Sequence, residues 1–318
     1  MQRSVPCILC LCCFCILLWV QAIRGQDSAP DIRTVKADLT VPPIQEGSPA
    51  PGRRVRWYPQ PDLQPRLYGV LTLPTNYDPK SDYPLIVELP GNGGYRSPFG
   101  DECDGTPDGC KLGWGISGGP EFIWLALPFV TGADLSEPRE LALQWWGSPP
   151  EFSGKSTAAF CQAAVKKAIH DFSINPEAVV LSGFSRGAIG CNFVGLQDDN
   201  IAQLWCGMIA YSHYDGSRDW GLPNTDRASA AKRLSRLRCP QLICHEDNDA
   251  EQSGLTRTRN WLAETELDQS NQIEFLSTGF RNHNDAWVLR PSPAREQLRK
   301  WIRKLPSVRE VLATQEKR

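Results

Sequence analysis

The segment Gly183-Phe184-Ser185-Arg186-Gly187 has the pattern G-x-S-x-G, with an apolar AVVLS run before the serine and RGAIGCNFVG after it. A strand that turns sharply into a helix crowds the positions two residues either side of the turn. Glycine there relieves the clash and leaves the serine hydroxyl projecting above the sheet. Such a serine can attack a carbonyl carbon, but at neutral pH it needs a base beside it and an acid that orients the base. Of the four histidines, His283, in RNHNDAW after the strand-like QIEFLSTGF, falls beyond the last strand. That is where the base belongs if the chain order is serine, acid, histidine. His170 sits in the helix before the nucleophile. His213 and His245 follow strands, and His213 is a candidate to line the substrate pocket. The acid is expected after PQLIC, within His245-Glu246-Asp247-Asn248-Asp249. Asp249 is the first candidate because it lies far enough past the strand for a loop to carry it to the histidine; Asp247 is the second, and Asp215 in SHYDG the third.

A tetrahedral intermediate also needs two backbone N–H donors aimed at its oxyanion. Arg186, the residue after the nucleophile, supplies one, and Asn92 in Pro90-Gly91-Asn92-Gly93-Gly94 is the candidate for the other. Trp145 and Trp146 offer ring faces to a sugar or a phenolic acyl group, or else pack in the core. Asp101, Glu102, Asp104 and Asp108 crowd one loop, as a calcium candidate or as plain solvated acids. No metal and no cofactor is assigned, because hydrolysis through an acyl-serine requires none.

These residues need a scaffold. Short β-type runs (VRWYP, RLYGVLTLP, LIVELPGNGG, EFIWLALPFV) lead to the helical KSTAAFCQAAVKKAIHDF and the strand, turn and helix around Ser185. Strand and helix patterns then alternate through LWCGMIAYS, TDRASAAKRLSRL, PQLICHED, TRTRNWLAETEL and QIEFLSTGF to the amphipathic REQLRKWIRKL. Continuous apolar strands separated by helices predict an α/β fold, a mostly parallel central sheet with helices on both faces. Over 318 residues, 41% hydrophobic with a formal net charge of -2, there is material for one large core. There is no dense basic surface of the kind nucleic acid requires.

Residues 1–25 (MQRSVPCILCLCCFCILLWVQAIRG) combine an early Arg3 with an apolar run too short for an ordinary membrane span, which predicts a secretory signal peptide, an exported protein and no stable membrane insertion after cleavage. Residues 26–53 are rich in Pro, Ser, Gly and charge, as a flexible linker or a strap. Residues 54–318 form the catalytic domain. Five cysteines leave with the leader. Of Cys103, Cys110, Cys161, Cys191, Cys206, Cys239 and Cys244, some are expected to pair in an oxidising compartment, Cys103 with Cys110 first, while Cys161, Cys191 and Cys244 also fit buried thiols.

With these motifs in place, the chain from Tyr68 to Trp287 resembles the esterase branch of the α/β-hydrolases that includes polyhydroxybutyrate depolymerases, feruloyl esterases and acetylxylan esterases. The resemblance rests on Phe172-Ser173-Ile174-Asn175-Pro176-Glu177 leading into VVLSGFSRG, on LPTNYDPKSDYPLIVELPGNGG at the oxyanion loop, and on His245 to Asp249, similar to the family's H-G-x-x-D acid segment. It departs at Pro90-Gly91 and His245-Glu246, where the family has His-Gly, and at Arg186, where the family has a small or sulfur-containing residue. The Arg186 guanidinium is expected to pair with a nearby carboxylate rather than attract an acidic substrate. The resemblance implies a secreted serine esterase with a Ser185, Asp249, His283 triad acting on small-molecule, polysaccharide or polyester esters. The alternatives are a peptidase or acyltransferase of the same fold, or a catalytically silent binding module.

Overall fold

The computed structural model describes residues 29–316 apart from 64–65, 99, 133–138, 248–253 and 266–272. The leader therefore lies outside the described residues, as does Asp249. Thirteen strands are present among the described residues: β1 (Ile44–Gln45), β2 (Arg54–Trp57), β3 (Gly69–Thr72), β4 (Tyr83–Leu89), β5 (Tyr95–Arg96), β6 (Glu102–Cys103), β7 (Ile123–Ala126), β8 (Phe129–Val130), β9 (Leu141–Ala142), β10 (Ile174–Phe184), β11 (Gly207–Tyr211), β12 (Gln241–His245) and β13 (Ile273–Ser277). Nine form one sheet in the order β1-β2-β3-β7-β4-β10-β11-β12-β13, and β5-β6 and β8-β9 are separate pairs. From β7 to β13 every pairing is parallel, while β3 runs antiparallel to β2 and β7.

The alternation of side chains along each strand divides the interior in two. Leu85, Val87 and Leu89 of β4, with Val179 and Leu181 of β10, face helices α2 (Lys155–Asp171), α3 (Arg186–Phe193), α4 (Arg227–Leu234) and α5 (Gly254–Ala263). Ile86, Ala178 and Val180 face the other way, onto α1 (Leu112–Ser117) and the C-terminal pair α6 (Pro293–Lys304) and α7 (Pro306–Gln315). A parallel sheet covered on both faces is what the uninterrupted apolar runs require. No helix among the described residues is long and apolar enough to cross a membrane.

The part of the 26–53 segment that is described lies against the body as a strap. Ile32 is buried, its N–H donates to Asn282 Oδ1 at 2.7 Å, and Asp31 and Asp38 pair with Arg281 and Arg295 at 2.9 and 2.5 Å. Its polar composition thus reflects ion pairs to distant residues rather than a solvated coil.

The seven described cysteines are all free thiols. The expected Cys103 to Cys110 bridge is not formed. The Cys110 thiol joins the core beside Leu112 and Ile116, while Cys103 Sγ lies 2.8 Å from where a Cβ on Gly91 would stand.

Candidate active site

Ser185 caps α3 with φ 55° and ψ −113°, a left-handed conformation rare for a residue with a side chain. The flanking glycines explain how the chain tolerates it: a Cβ on Gly183 would overlap the Gly187 carbonyl, and one on Gly187 would overlap the carbonyl oxygen of Leu89 at the end of β4. The serine Oγ points to His283 Nε2 at 3.0 Å.

His283 is fixed from both sides in sequence. Tyr211 Oη donates to the carbonyls of Asn282 and Asn284 at 3.1 and 3.3 Å, the Asn282 side chain accepts from Ile32, and Asn284 Nδ2 donates to Gly100 O at 2.6 Å. Two acceptors meet its other nitrogen, Ser212 Oγ at 2.6 Å and Glu246 Oε1 at 3.2 Å, which places the proton on Nδ1 and leaves Nε2 free to accept from Ser185.

The carboxylate against the histidine is therefore that of Glu246, the first residue past β12. Thr278 N donates to His245 O at 2.9 Å and Asp247 N to Phe280 O at 2.7 Å, which stitches this strand end to the loop carrying His283. Burial raises the Glu246 carboxyl, but the hydrogen bond from His283 and the fields of His245 and His283 outweigh it and hold it at about 2. Of the three expected acids, Asp249 lies outside the described residues. Asp247 meets the histidine loop through its backbone and is exposed. Asp215 is buried in a bidentate pair with Arg233 at 2.7 and 2.9 Å, a structural role. Sequence reasoning passed over Glu246 because it looked for an acid that a loop must carry, whereas a glutamate needs only its own longer side chain. The signal was present, an acid where the resembled family has glycine. Ser212 carried no signal beyond its place after β11.

A cleft of about 390 Å³ is lined by Asn92, Tyr95, Cys103, Ser185, His213, Glu246 and His283. The Asn92 loop passes against Ser185, since a Cβ on Gly91 would sit 3.3 Å from Ser185 Cβ. Its shape is held by Trp145 N donating to Asn92 Oδ1 at 2.8 Å and Gly93 N to Leu143 O at 2.6 Å. Arg186 N–H lies in the first turn of α3, where amides have no intrahelical acceptor.

The Arg186 side chain corrects the expectation of a carboxylate partner. Its guanidinium is buried and donates to the carbonyls of Ala142, Trp145 and Gly105 at 3.0, 2.7 and 3.2 Å, over the Phe129 ring; burial brings it down to about 9. It braces the wall of the site from behind. Trp146 is likewise a core residue, its ring 4.2 Å from Phe193. Trp145 stays half-buried, 6.2 Å from Trp220, which stands 5.0 Å from His213, itself 5.0 Å from His283. Burial, and next the neighbouring His283, lower His213 to about 3, so it is neutral beside His283 at physiological pH. His170 is exposed on α2 beside Asp171. Among the described residues no group of acids, cysteines or histidines is arranged to hold a metal ion.

No family model matches the sequence, and no curated protein matches it. Solved structures do. Porphyromonas gingivalis dipeptidyl peptidase 4 is 15% identical, with 82% of this chain and 36% of that chain covered and a TM-score of 0.50. A thermostable esterase is 16% identical over 78% of this chain and 62% of that one, TM-score 0.46. The feruloyl esterase module from Clostridium thermocellum is 12% identical over 80% and 92%, TM-score 0.47. This chain thus spans about a third of the dipeptidyl peptidase and under two thirds of the thermostable esterase. The structural neighbours are esterases and dipeptidyl peptidases of the α/β-hydrolase fold, and the parallel sheet with a serine at the turn into α3 is that fold in this chain.

Proposed function

We propose that this protein is a serine hydrolase that cleaves carboxylic esters through an acyl-enzyme. The observation that carries the reading is the continuous contact from Ser185 Oγ to His283 Nε2 and from His283 Nδ1 to Glu246, on a strained turn that holds the hydroxyl in the cleft. In the first step Ser185 Oγ bonds to the ester carbonyl carbon as its proton passes to His283 Nε2. The oxyanion meets the main-chain N–H groups of Arg186 and Asn92. Collapse of the intermediate breaks the bond to the alkoxide, which takes the proton from Nε2. Water repeats the sequence, its proton going to Nε2 and returning to Ser185 Oγ as the acid leaves. Glu246, in place of the expected Asp249, holds the imidazole and stabilises the imidazolium. Neutral His213 spares that imidazolium a second positive charge, and with Trp145 it flanks the bound acyl or alcohol group. The apolar leader over residues 1–25 makes the enzyme an exported one.

The test is turnover of p-nitrophenyl acetate and butyrate beside an aminoacyl-proline anilide. Ester hydrolysis abolished by Ser185→Ala and by His283→Ala, with both variants folded, supports the reading. Anilide cleavage exceeding ester cleavage favours a peptidase, and turnover of neither by a folded wild type favours a binding module. Glu246→Gln against Asp249→Asn separates the two acids: the first is expected to lower kcat about a thousandfold or more, the second to leave it near wild type.

A further inference from the structure

Ser212 is fully buried at the end of β11 with φ 90°, a backbone angle that disfavours any side chain. A glycine would sit there without strain, yet the position carries a hydroxyl, and that hydroxyl is the nearest acceptor to the Nδ1 of His283. The distances are 2.6 Å from Nδ1 to Ser212 Oγ, 3.2 Å from Nδ1 to Glu246 Oε1 and 3.2 Å from Ser212 Oγ to the same Oε1. The three groups close a triangle. The imidazole Nδ1–H donates to the hydroxyl and the hydroxyl proton donates to the carboxylate, so the serine passes the carboxylate's polarisation to the ring over a shorter contact than the carboxylate makes itself.

We propose that Ser212 is a fourth member of the site, a positioning residue whose hydroxyl bridges His283 and Glu246 and stabilises the imidazolium formed during acyl transfer. The inference rests on Ser185, His283 and Glu246 working as a triad. The other titratable groups around the ring and its carboxylate are His213, Tyr95 at the ring edge, Cys103 across the cleft, Tyr211 beneath the histidine loop, and His245, whose Nδ1 lies 3.3 Å from Glu246 Oε2. His213 is held at about 3 and burial pushes the Cys103 thiol up to about 11, so neither changes charge near neutrality. The strain at Ser212 is the local cost of presenting the hydroxyl. Main-chain bonds hold it on both sides: Ser185 N donates to Tyr211 O and Ser212 N to Cys244 O, each at 2.9 Å.

The experiment is the pH profile of ester hydrolysis for wild type, Ser212→Gly and Ser212→Ala, each also in a Glu246→Gln background, with thermal unfolding measured alongside. Ser212→Gly relieves the backbone, so a merely structural role predicts equal or higher stability and unchanged kinetics. A bridging role predicts that kcat falls about tenfold with KM within about twofold, and that the acid limb of kcat/KM moves to lower pH because the imidazolium has lost an acceptor. In the Glu246→Gln background the same change is expected to cost much less, since the two groups act as a unit. Ser212→Ala keeps a Cβ at the strained angle. Matching kinetics in both variants assign the loss to the hydroxyl, whereas a loss confined to Ser212→Ala assigns it to the backbone and overturns the proposal. Wild-type kcat and an unmoved acid limb in Ser212→Gly also overturn it. If wild type hydrolyses no ester and its Ser185 takes up no fluorophosphonate, the triad reading fails first, an outcome distinct from failure of the bridge alone.

Discussion

Glu88 and Glu246 are both buried glutamates on strands or strand ends of one sheet, and they differ in what meets them. The Glu88 carboxylate, on β4, accepts from the N–H groups of Lys111, Leu112 and Gly113 at 3.1, 3.0 and 2.8 Å and from Trp124 Nε1 at 2.9 Å, so it caps the start of α1. Burial, and then the charge of Asp285, push it up to about 7 despite those bonds. Glu246 meets imidazoles, and their bonds and fields bring it to about 2 against the same pressure of burial. Desolvation alone thus marks neither as functional. The difference lies one residue further out: the partners of Glu88 are amides and an indole that hold their protons, whereas His283 can give and take one and touches the Ser185 hydroxyl.

The comparison can be broken by exchanging each acid for its amide. Glu246→Gln is expected to lower kcat by about 10³ to 10⁴ in the folded protein. Glu88→Gln turns a donor toward donors and is expected to destabilise the fold by about 3 kcal/mol, with kcat of the folded fraction unchanged. A comparable loss of kcat in both would erase the distinction. Next in size, Gly187→Ala forces the elbow away from the Leu89 carbonyl and is expected to cost about 3 kcal/mol in urea unfolding, with activity lost in whatever remains folded. Arg186→Met strands three carbonyls and is expected to cost about 2 kcal/mol. It should leave the preference between neutral and acidic esters unaltered, because the guanidinium faces the wall and not the cleft.

The smallest effects are in pH, and their signs oppose. Glu88 is raised from its ordinary 4.5 to about 7, so its contribution to stability is complete below 4.5 and is lost as pH rises through about 7. Glu246 is lowered from 4.5 to about 2, so its contribution is complete above 4.5 and is lost as pH falls toward 2. His213, lowered from 6.5 to about 3, likewise costs stability as pH falls between those values, because the unfolded chain takes the proton first. Unfolding free energy measured from pH 4 to 8 is therefore expected to flatten on its alkaline side in Glu88→Gln and on its acid side in His213→Asn, each by about 1 kcal/mol per pH unit at most.

The sheet, the turn at Ser185 and the histidine that meets it were legible in the sequence because each is a local pattern or an order along the chain. Apolar runs specify buried parallel strands, the two glycines specify the turn at Ser185, and His283 is the histidine that follows β13. The contact between the Glu246 carboxylate and the imidazole was not legible, because it depends on how β12 ends and how Asp247 and Thr278 tie it to the next loop. Ser212 was hidden for a related reason: its hydroxyl meets His283 and Glu246 only once β11, β12 and the histidine loop are brought together. Arg186 was expected to meet a carboxylate and instead donates to three interior carbonyls, while Trp146 takes up the core position that was one of its two readings. The strap was half legible, its lack of periodicity plain and its ion pairs to Arg281 and Arg295 invisible at a separation of 250 residues or more.

The most direct test of the central claim is the intact mass of the folded protein after exposure to a fluorophosphonate, with the site mapped by peptide analysis. The account predicts one adduct on Ser185, absent in Ser185→Ala, slowed by orders of magnitude in His283→Ala and Glu246→Gln, and undiminished in Glu88→Gln. A well-folded wild type that takes up no adduct, or takes it up elsewhere, would contradict it.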